Sequence, residues 1–282
     1  MIMVKTEAMP ASLGFGKASP SLEWHTTGVG GGARQSGIPS LILTDGLFGS
    51  AEGKTAHGLL RYGDRFTPLA VLDTTSAGLT TAQVIANLNV DVPIFATVDE
   101  AIGECPAIST AVVGVSTPAG RLTESLRRVL TECAVHSLNL VAGLHDFLVD
   151  DPVIAAEAAA HDVTITDVRR PPELSKLHFW DGSIYGVRAV RVAVLGMDCV
   201  VGKRTTAQAL TQEINKRGRH AEMIYTGQTG WMQGSRYGIV LDALVDDFIT
   251  GELEHAIVQC DRDLSPDFMI IEGQSGMQNL VS

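Results

Sequence analysis

Between Arg191 and Leu210 the chain reads RVAVLGMDCVVGKRTTAQAL. An apolar run ends at Gly196, and the pair Gly202-Lys203 opens a stretch of helical composition. Strand, glycine-bounded loop, lysine and helix in this order suit anion binding. Main-chain N–H groups and a helix N-terminus face the anion, and the lysine adds a point charge. The usual spacing is G-x-x-x-x-G-K-[ST]. Here five residues rather than four separate the glycines, and Arg204 follows the lysine. Elsewhere that position gives a hydroxyl to magnesium, whereas a guanidinium has no lone pair to offer. Thr205 lies about 100° further round the helix, with Thr206 behind it. The candidate ligand-binding set is therefore Gly196, Gly202, Lys203, Arg204, Thr205 and Thr206. Arg204 can grip a phosphate by a forked contact or lie solvated on the helix. The pattern favours a polyphosphate that is held rather than split. Coenzyme A fits, because its thioester lies far from its phosphates. ATP with magnesium is the rival, with Asp198 or Glu272 helping to hold the ion. A plain strand–helix turn with solvated cations is the structural alternative.

Three further residues are candidates for chemistry beside this loop. Glu272 ends the apolar run FMIIEG, and Asp198 lies within the loop. Either can take a proton from an attacking amine. Gln228, in GQTGWMQG, follows another apolar run, where loops at strand C-terminal ends line the ligand crevice of an open α/β sheet. Its amide can donate to an oxyanion. Thr229 can donate there too, and Trp231 either stacks on a ligand or fills the core. Asp242 and Asp246 fall four apart on one expected helix face and read as a solvated face. Upstream, DGLFGSAEGKTAHGLLRYG contains Lys54, Thr55 and Arg61, an expected substrate-carboxylate site or a surface loop. His145 follows another strand, where a lone histidine is commonly structural.

Positioning these residues takes two layers of alternating elements. From Ile38 to Arg170, apolar runs such as SLILTDG, PLAVLDT, VPIFAT, TAVVGVS, SLNLVAGL and VTITDVR alternate with helical patterns. Helices are expected at Thr81 to Leu88 and over GRLTESLRRVLTECAVH, where Leu122, Leu126, Val129, Leu130 and Cys133 share a face. Strands alternating with amphipathic helices imply parallel strands joined by crossovers, a doubly wound α/β domain. Residues 1–37 are rich in Gly, Ser and Pro and read as a flexible leader. Residues 171–186 form a linker with two prolines and two glycines. The second α/β domain, 187–282, has strands at VRVAVLG, AEMIYTG and DFMIIEG, and helices over KRTTAQALTQEINKRG and YGIVLDALVDDFITGELEHAIVQC. Three strands make a thin nucleotide-binding sheet. That predicts further strands beyond Ser282, or a sheet or interface shared between the domains.

The chain has 282 residues, 45% hydrophobic content and a formal net charge of −11. That charge disfavours nucleic acid and anionic membrane as partners, and no apolar run is long enough to span a bilayer. Four cysteines without metal or redox spacing read as reduced thiols in a cytoplasmic protein. G-x-S-x-G and G-x-G-x-x-G are both absent. A small-molecule partner is expected, and a homo-oligomer is compatible with the sequence.

The motifs GMDCVVGKRTTAQAL, YTGQTGWM, IIEGQ, AEGKTAHGLLRYG and GLHDFLVDDP together resemble the D-glutamate N-acetyltransferase-like family. The resemblance covers roughly residues 38–274. It implies a Rossmann-like domain followed by a P-loop domain similar to that of dethiobiotin synthetase. It further implies acetyl-CoA as donor and the amino group of a D-amino acid, D-glutamate, as acceptor. The rival classes are an ATP- and magnesium-dependent P-loop kinase or ligase, and a nucleotide-binding protein without chemistry.

Overall fold

Residues 2–4, 37–198 and 201–274 are described by the computed structural model. They fall into two compact units. One takes the chain up to Arg170 together with Met232–Gly234; the other takes 171–231, 235–274 and the short first strand, β1 (Ile2–Val4). The sequence reading assigns β1 to the leader; the rest of that leader lies outside the described residues.

The first unit runs β2 (Ile38–Leu43), α1 (Lys54–Tyr62), β3 (Phe66–Leu72), α2 (Thr81–Val84), β4 (Ile94–Phe95) and α3 (Val98–Glu104). It continues with β5 (Thr110–Val113), α4 (Glu124–Val135), β6 (Asn139–Ala142), α5 (Pro152–Ala160) and β7 (Ile165–Asp167). All six strands are parallel, in the order β4-β3-β2-β5-β6-β7. Helices cover a parallel sheet on both faces, so its central strands are apolar without alternation. Leu41, Ile42 and Leu43, Ala111, Val112 and Val113 are buried accordingly. Leu126, Leu130 and Cys133 of α4 close on Leu41, Leu43, Ala111 and Leu140. Caps fix where the helices begin. Thr123 Oγ1 accepts the Leu126 N–H at 3.1 Å, and Asp151 Oδ1 accepts those of Val153 and Ile154 ahead of α5.

One helix is shorter than its sequence pattern. The helix expected to reach Leu88 stops at Val84. Asn87 turns left-handed at φ 59°, and Arg61 donates to the carbonyls of Ala86 and Asn87. The helix ends because Ile85 is already extended and the returning chain pairs with its first turn, Val92 N–H donating to Thr81 Oγ1 at 3.0 Å and Thr81 N–H to Val92 O at 2.9 Å.

The strand order reverses between β2 and β5, the place where a dinucleotide lies in sheets of this kind. Here the chain's own backbone crosses it. Ala56 N–H donates to Gly114 O, Gly114 N–H to Leu43 O and Ser116 N–H to Glu52 O, each at 2.8 Å.

The second unit contains β8 (Val190–Val194), α6 (Lys203–Lys216), β9 (Ala221–Tyr225), α7 (Gln228–Met232), β10 (Tyr237–Gly238), α8 (Asp246–Leu264) and β11 (Phe268–Glu272). Its sheet has the order β1-β8-β11-β9-β10, parallel except for β1, which runs antiparallel to β8. Three strands were expected from sequence. β1 and β10 add the other two, and both are too short to carry a pattern. Tyr237 to Val245, read as helix, instead continues the ladder on β9. Ile239 N–H donates to Tyr225 O and Leu241 N–H to Thr226 O. Asp242 therefore sits in a short 3-10 turn, Leu241–Ala243, while Asp246 begins α8, so the two do not share a helix face.

The expected linker is a strap on α8. Glu252 and Glu254 are buried, and their carboxylates are met by main-chain donors. Glu252 Oε1 accepts His178 N–H at 2.6 Å, and Glu254 accepts Asp181 N–H at 2.8 Å and Ile184 N–H at 3.1 Å. Among the described residues no helix is long and apolar enough to cross a membrane. The described cysteines, Cys105, Cys133 and Cys260, are free thiols. Burial pushes the Cys260 thiol up to about 12.

The strap gives the unit an acid-sensitive joint. The His255 ring stacks on His178 at 3.8 Å, and its buried Nε2 has no hydrogen-bond partner. Burial first, then His178 and Arg262, lower its pKa to about 4, with Asp181 pulling the other way. A depressed histidine favours the fold above its unfolded value, near 6.5, and loses that contribution as pH falls toward 4. The melting temperature of this unit is expected to fall between pH 6.5 and 4. In His255→Phe, which keeps the stack and removes the charge, the fall should be shallower. Parallel profiles would exclude His255 as the source. The depressed carboxyls of Asp181 and Asp267 act below this window.

Candidate functional site

β8 delivers Leu195, Gly196, Met197 and Asp198 to the sheet edge, and α6 resumes at Lys203. Residues 199–200 of this loop lie outside the described residues. Gly202 caps α6 with φ 90°, a left-handed turn that a side chain would strain. Gly196 has a different reason to be glycine. A Cβ there would come within 2.6 Å of Val201 Cγ2 and 3.1 Å of Lys203 Cγ. The missing side chain is what lets the lysine stem fold back over the loop, where Lys203 Nζ donates to Asp198 O at 2.7 Å. The first helical bond runs from Thr206 N–H to Gly202 O. The N–H groups of Lys203, Arg204 and Thr205 therefore precede the helix ladder, as an anion site needs.

Arg204 faces inward. Ala207 and Gln208, three and four residues on, are the buried residues of α6, whereas Thr205 and Thr206 are exposed. α6 lies against β8, β9 and β11, and at the end of β11 stands Glu272, only 6% exposed. Glu272 Oε2 accepts the Thr226 N–H at 3.1 Å, and Thr226 Oγ1 donates to the Glu272 carbonyl at 3.0 Å. Burial raises the Glu272 pKa, while Arg204, then the Thr226 N–H, then Lys203 pull it down. Arg204 shows the mirror image: burial lowers its pKa, and Glu272 holds it up. The two charges are each other's environment.

α7 closes the rim. A Cβ on Gly230 would lie 3.4 Å from Glu272 Oε2, and one on Gly227 would lie 2.9 Å from Gln274 Nε2. Gln228, between these glycines, is half-buried at the first position of α7. Thr229 and Trp231 are buried, so the tryptophan belongs to the core rather than to an open ligand face. Asp198 is exposed on the loop.

The second unit thus assembles Gly196, Asp198, Gly202, Lys203, Arg204, Gln228 and Glu272 around the ends of β8, β9 and β11. Chemically this is a cationic helix start facing a buried carboxylate. Thr226, the clamp on Glu272, escaped the sequence reading. Its only signal was its place directly after an apolar strand.

Lys54, Thr55 and Arg61 lie on α1 of the other unit. Lys54 is exposed at the helix start and Thr55 is buried. Arg61 Nε donates to Asn87 O at 3.3 Å. Seven residues at 1.5 Å rise put Lys54 and Arg61 about 10 Å apart along α1. In the same unit Arg169 Nη1 lies 3.2 Å from His145 Nε2, and Arg169 Nε donates to Gly143 O at 2.8 Å.

Residues 74–171 match a family profile described as the Rossmann-like domain DUF1611_N, a domain of unknown function. Residues 178–281 match its counterpart, the P-loop domain DUF1611_C. The chain is similar to two curated proteins, each named D-glutamate N-acetyltransferase. One, from Tritonibacter scottomollicae, is 34% identical over 168 residues, 60% of this chain and 48% of that protein. The other, from Pseudoalteromonas sp, is 29% identical over 176 residues, 60% of this chain and 49% of that protein. The matched region spans about half the length of either relative. A crystal structure of a DUF1611 family protein from Anabaena variabilis ATCC 29413 shares the fold with a TM-score of 0.78 at 28% identity, covering 87% of this chain and 68% of the other. With a Rossmann-like unit leading into a P-loop unit in the same order, the chain belongs to the DUF1611 family.

Proposed function

We propose that this protein is an N-acetyltransferase that moves the acetyl group of acetyl-CoA to the amino group of a D-amino acid, with D-glutamate the first acceptor to test. The observation that carries the reading is the start of α6, where Lys203 and Arg204 follow a left-handed glycine and face a buried carboxylate. The names of the two curated relatives supply the acetyl group and the acceptor. In this reading the diphosphate of coenzyme A sits on the N–H groups opening α6, with Lys203 turning from Asp198 O to the phosphates.

The acceptor ammonium loses one proton and the resulting amine attacks the thioester carbonyl. A C–N bond forms, the C–S bond breaks, and the second proton, shed by the attacking nitrogen, neutralises the departing thiolate to the coenzyme A thiol. Asp198, exposed on the loop, takes the first of these protons and passes it to solvent. The Gln228 amide donates to the carbonyl oxygen as it gains charge. In the Rossmann-like unit, Lys54 is exposed, whereas Arg61 donates to the carbonyls of Ala86 and Asn87.

Lys203→Ala is expected to weaken acetyl-CoA binding roughly 10- to 100-fold, the loss of a charge-assisted contact worth about 1.5–3 kcal/mol. Isothermal titration calorimetry reads this directly. Unchanged affinity would take the loop out of the reaction.

A further inference from the structure

A P-loop fold carries the expectation of a magnesium ion held by the hydroxyl after the lysine, with an acid at the end of a neighbouring strand assisting. The residues of this site do not fit that ion. Arg204 occupies the hydroxyl position, and its side chain is on the inward face of α6. A guanidinium donates hydrogen bonds and ligates no metal. Thr205 and Thr206 are exposed, off that face. The strand-end acid, Glu272, is buried and already held by Thr226, whose N–H donates to Oε2 and whose hydroxyl donates to the Glu272 carbonyl. A divalent ion brought there would meet a fixed positive charge in a partly desolvated setting, where repulsion is least screened.

We propose that Arg204, in the first turn of α6 on the face of Ala207 and Gln208, is a built-in substitute for the metal that sets the ligand class of this helix start: it accepts a nucleoside diphosphate group free of divalent cation and rejects the magnesium complex of the same group. Arg204 is the specificity-determining residue. The inference rests on the phosphate-binding reading proposed above, and it names the ionic state of the ligand. That group is common to the 3′-phospho-ADP half of coenzyme A and to free ADP.

The test is calorimetric titration of coenzyme A and of ADP, each in EDTA and in excess magnesium, into the full chain. Wild type should bind in EDTA about tenfold or more tightly than in magnesium, a difference of about 1.4 kcal/mol. Binding of coenzyme A with little of ADP would assign the site to the 3′-phosphorylated carrier; equal binding would assign it to the shared diphosphate. Arg204→Ser restores the metal-binding hydroxyl and should reverse the order, so that ADP binds better with magnesium. Arg204→Lys keeps a cation and should keep the wild-type order, which guards against a serine variant that fails to fold. Binding strengthened by magnesium in wild type, or indifferent to it, overturns this inference while leaving phosphate binding standing. Absence of binding by either ligand in both conditions overturns the phosphate-binding reading, and this inference with it.

Discussion

Asp73→Ala is expected to destabilise the Rossmann-like unit by about 4 kcal/mol, from the buried donors it would orphan at roughly 1–3 kcal/mol each. Asp73 is 1% exposed at the end of β3. Its Oδ2 accepts the Thr44 hydroxyl at 2.8 Å and the Phe48 N–H at 2.9 Å. Its Oδ1 accepts the N–H groups of Thr75 at 3.1 Å and Ser76 at 2.9 Å. One carboxylate thereby ties the loop after β2 to the loop after β3. Alanine leaves the N–H groups of Phe48 and Ser76 without this acceptor, while the Thr44 hydroxyl keeps Leu72 O at 2.9 Å and Thr75 is exposed; the relief of no longer burying a charge offsets only part of that loss. Asp73→Asn should cost about half as much. Its carbonyl still serves Thr75 and Ser76, and the Thr44 hydroxyl can rotate to accept from the new amide, leaving mainly the Phe48 N–H unmet. Urea unfolding followed by circular dichroism ranks the three proteins. Equal losses for the two variants would contradict the hydrogen-bond account.

Gly251→Ala is expected to break the P-loop unit more severely than its place in a helix suggests. Helix propensity alone favours alanine by about 1 kcal/mol. A Cβ at this position, however, would lie 2.0 Å from His178 O and 2.5 Å from the Phe179 carbonyl carbon. These are backbone atoms and cannot rotate away, so the strap must lift from α8. Lifting it strips His178 N–H from Glu252, and Asp181 and Ile184 N–H from Glu254. Two buried carboxylates then lose their donors, and the combined loss is expected to be at least about 4 kcal/mol. Gly103→Ala is the control. Its Cβ meets nothing within 4 Å in the exposed last turn of α3, so it should gain up to about 1 kcal/mol. Limited chymotrypsin digestion reports the strap, because Phe179 and Tyr185 lie exposed along it. A Gly251→Ala protein as stable and as protease-resistant as wild type would refute the close approach.

The sequence by itself determined the alternation. The runs of β2, β3, β5 and β6 are apolar over consecutive positions because a parallel sheet is covered on both faces. α4 shows its helical face because Leu126, Leu130 and Cys133 must all meet that sheet. These signals are local, a short continuous apolar run or a repeat every three to four residues, and they survive without any knowledge of partners. Gly202, Lys203 and Arg204 were legible as a loop for the same reason, since their spacing is contained within a dozen residues. Glu272 was legible only as an acid at a strand end.

Tertiary structure alone decided what these groups face. Thr226 and Glu272 stand 46 residues apart in sequence and meet because β9 and β11 pair side by side. Glu252 and Glu254 are charged residues, a type mostly found exposed, yet they lie buried because the strap brings main-chain donors to them. α2 ends early because Ile85 turns extended and Val92 returns to pair with Thr81, and the stretch after Tyr237 extends rather than coils because β9 offers it hydrogen bonds. In each case the local preference is worth tenths of a kcal/mol to about 1 kcal/mol per residue. A buried polar group left without a partner costs 1–3 kcal/mol, so the distant partner wins.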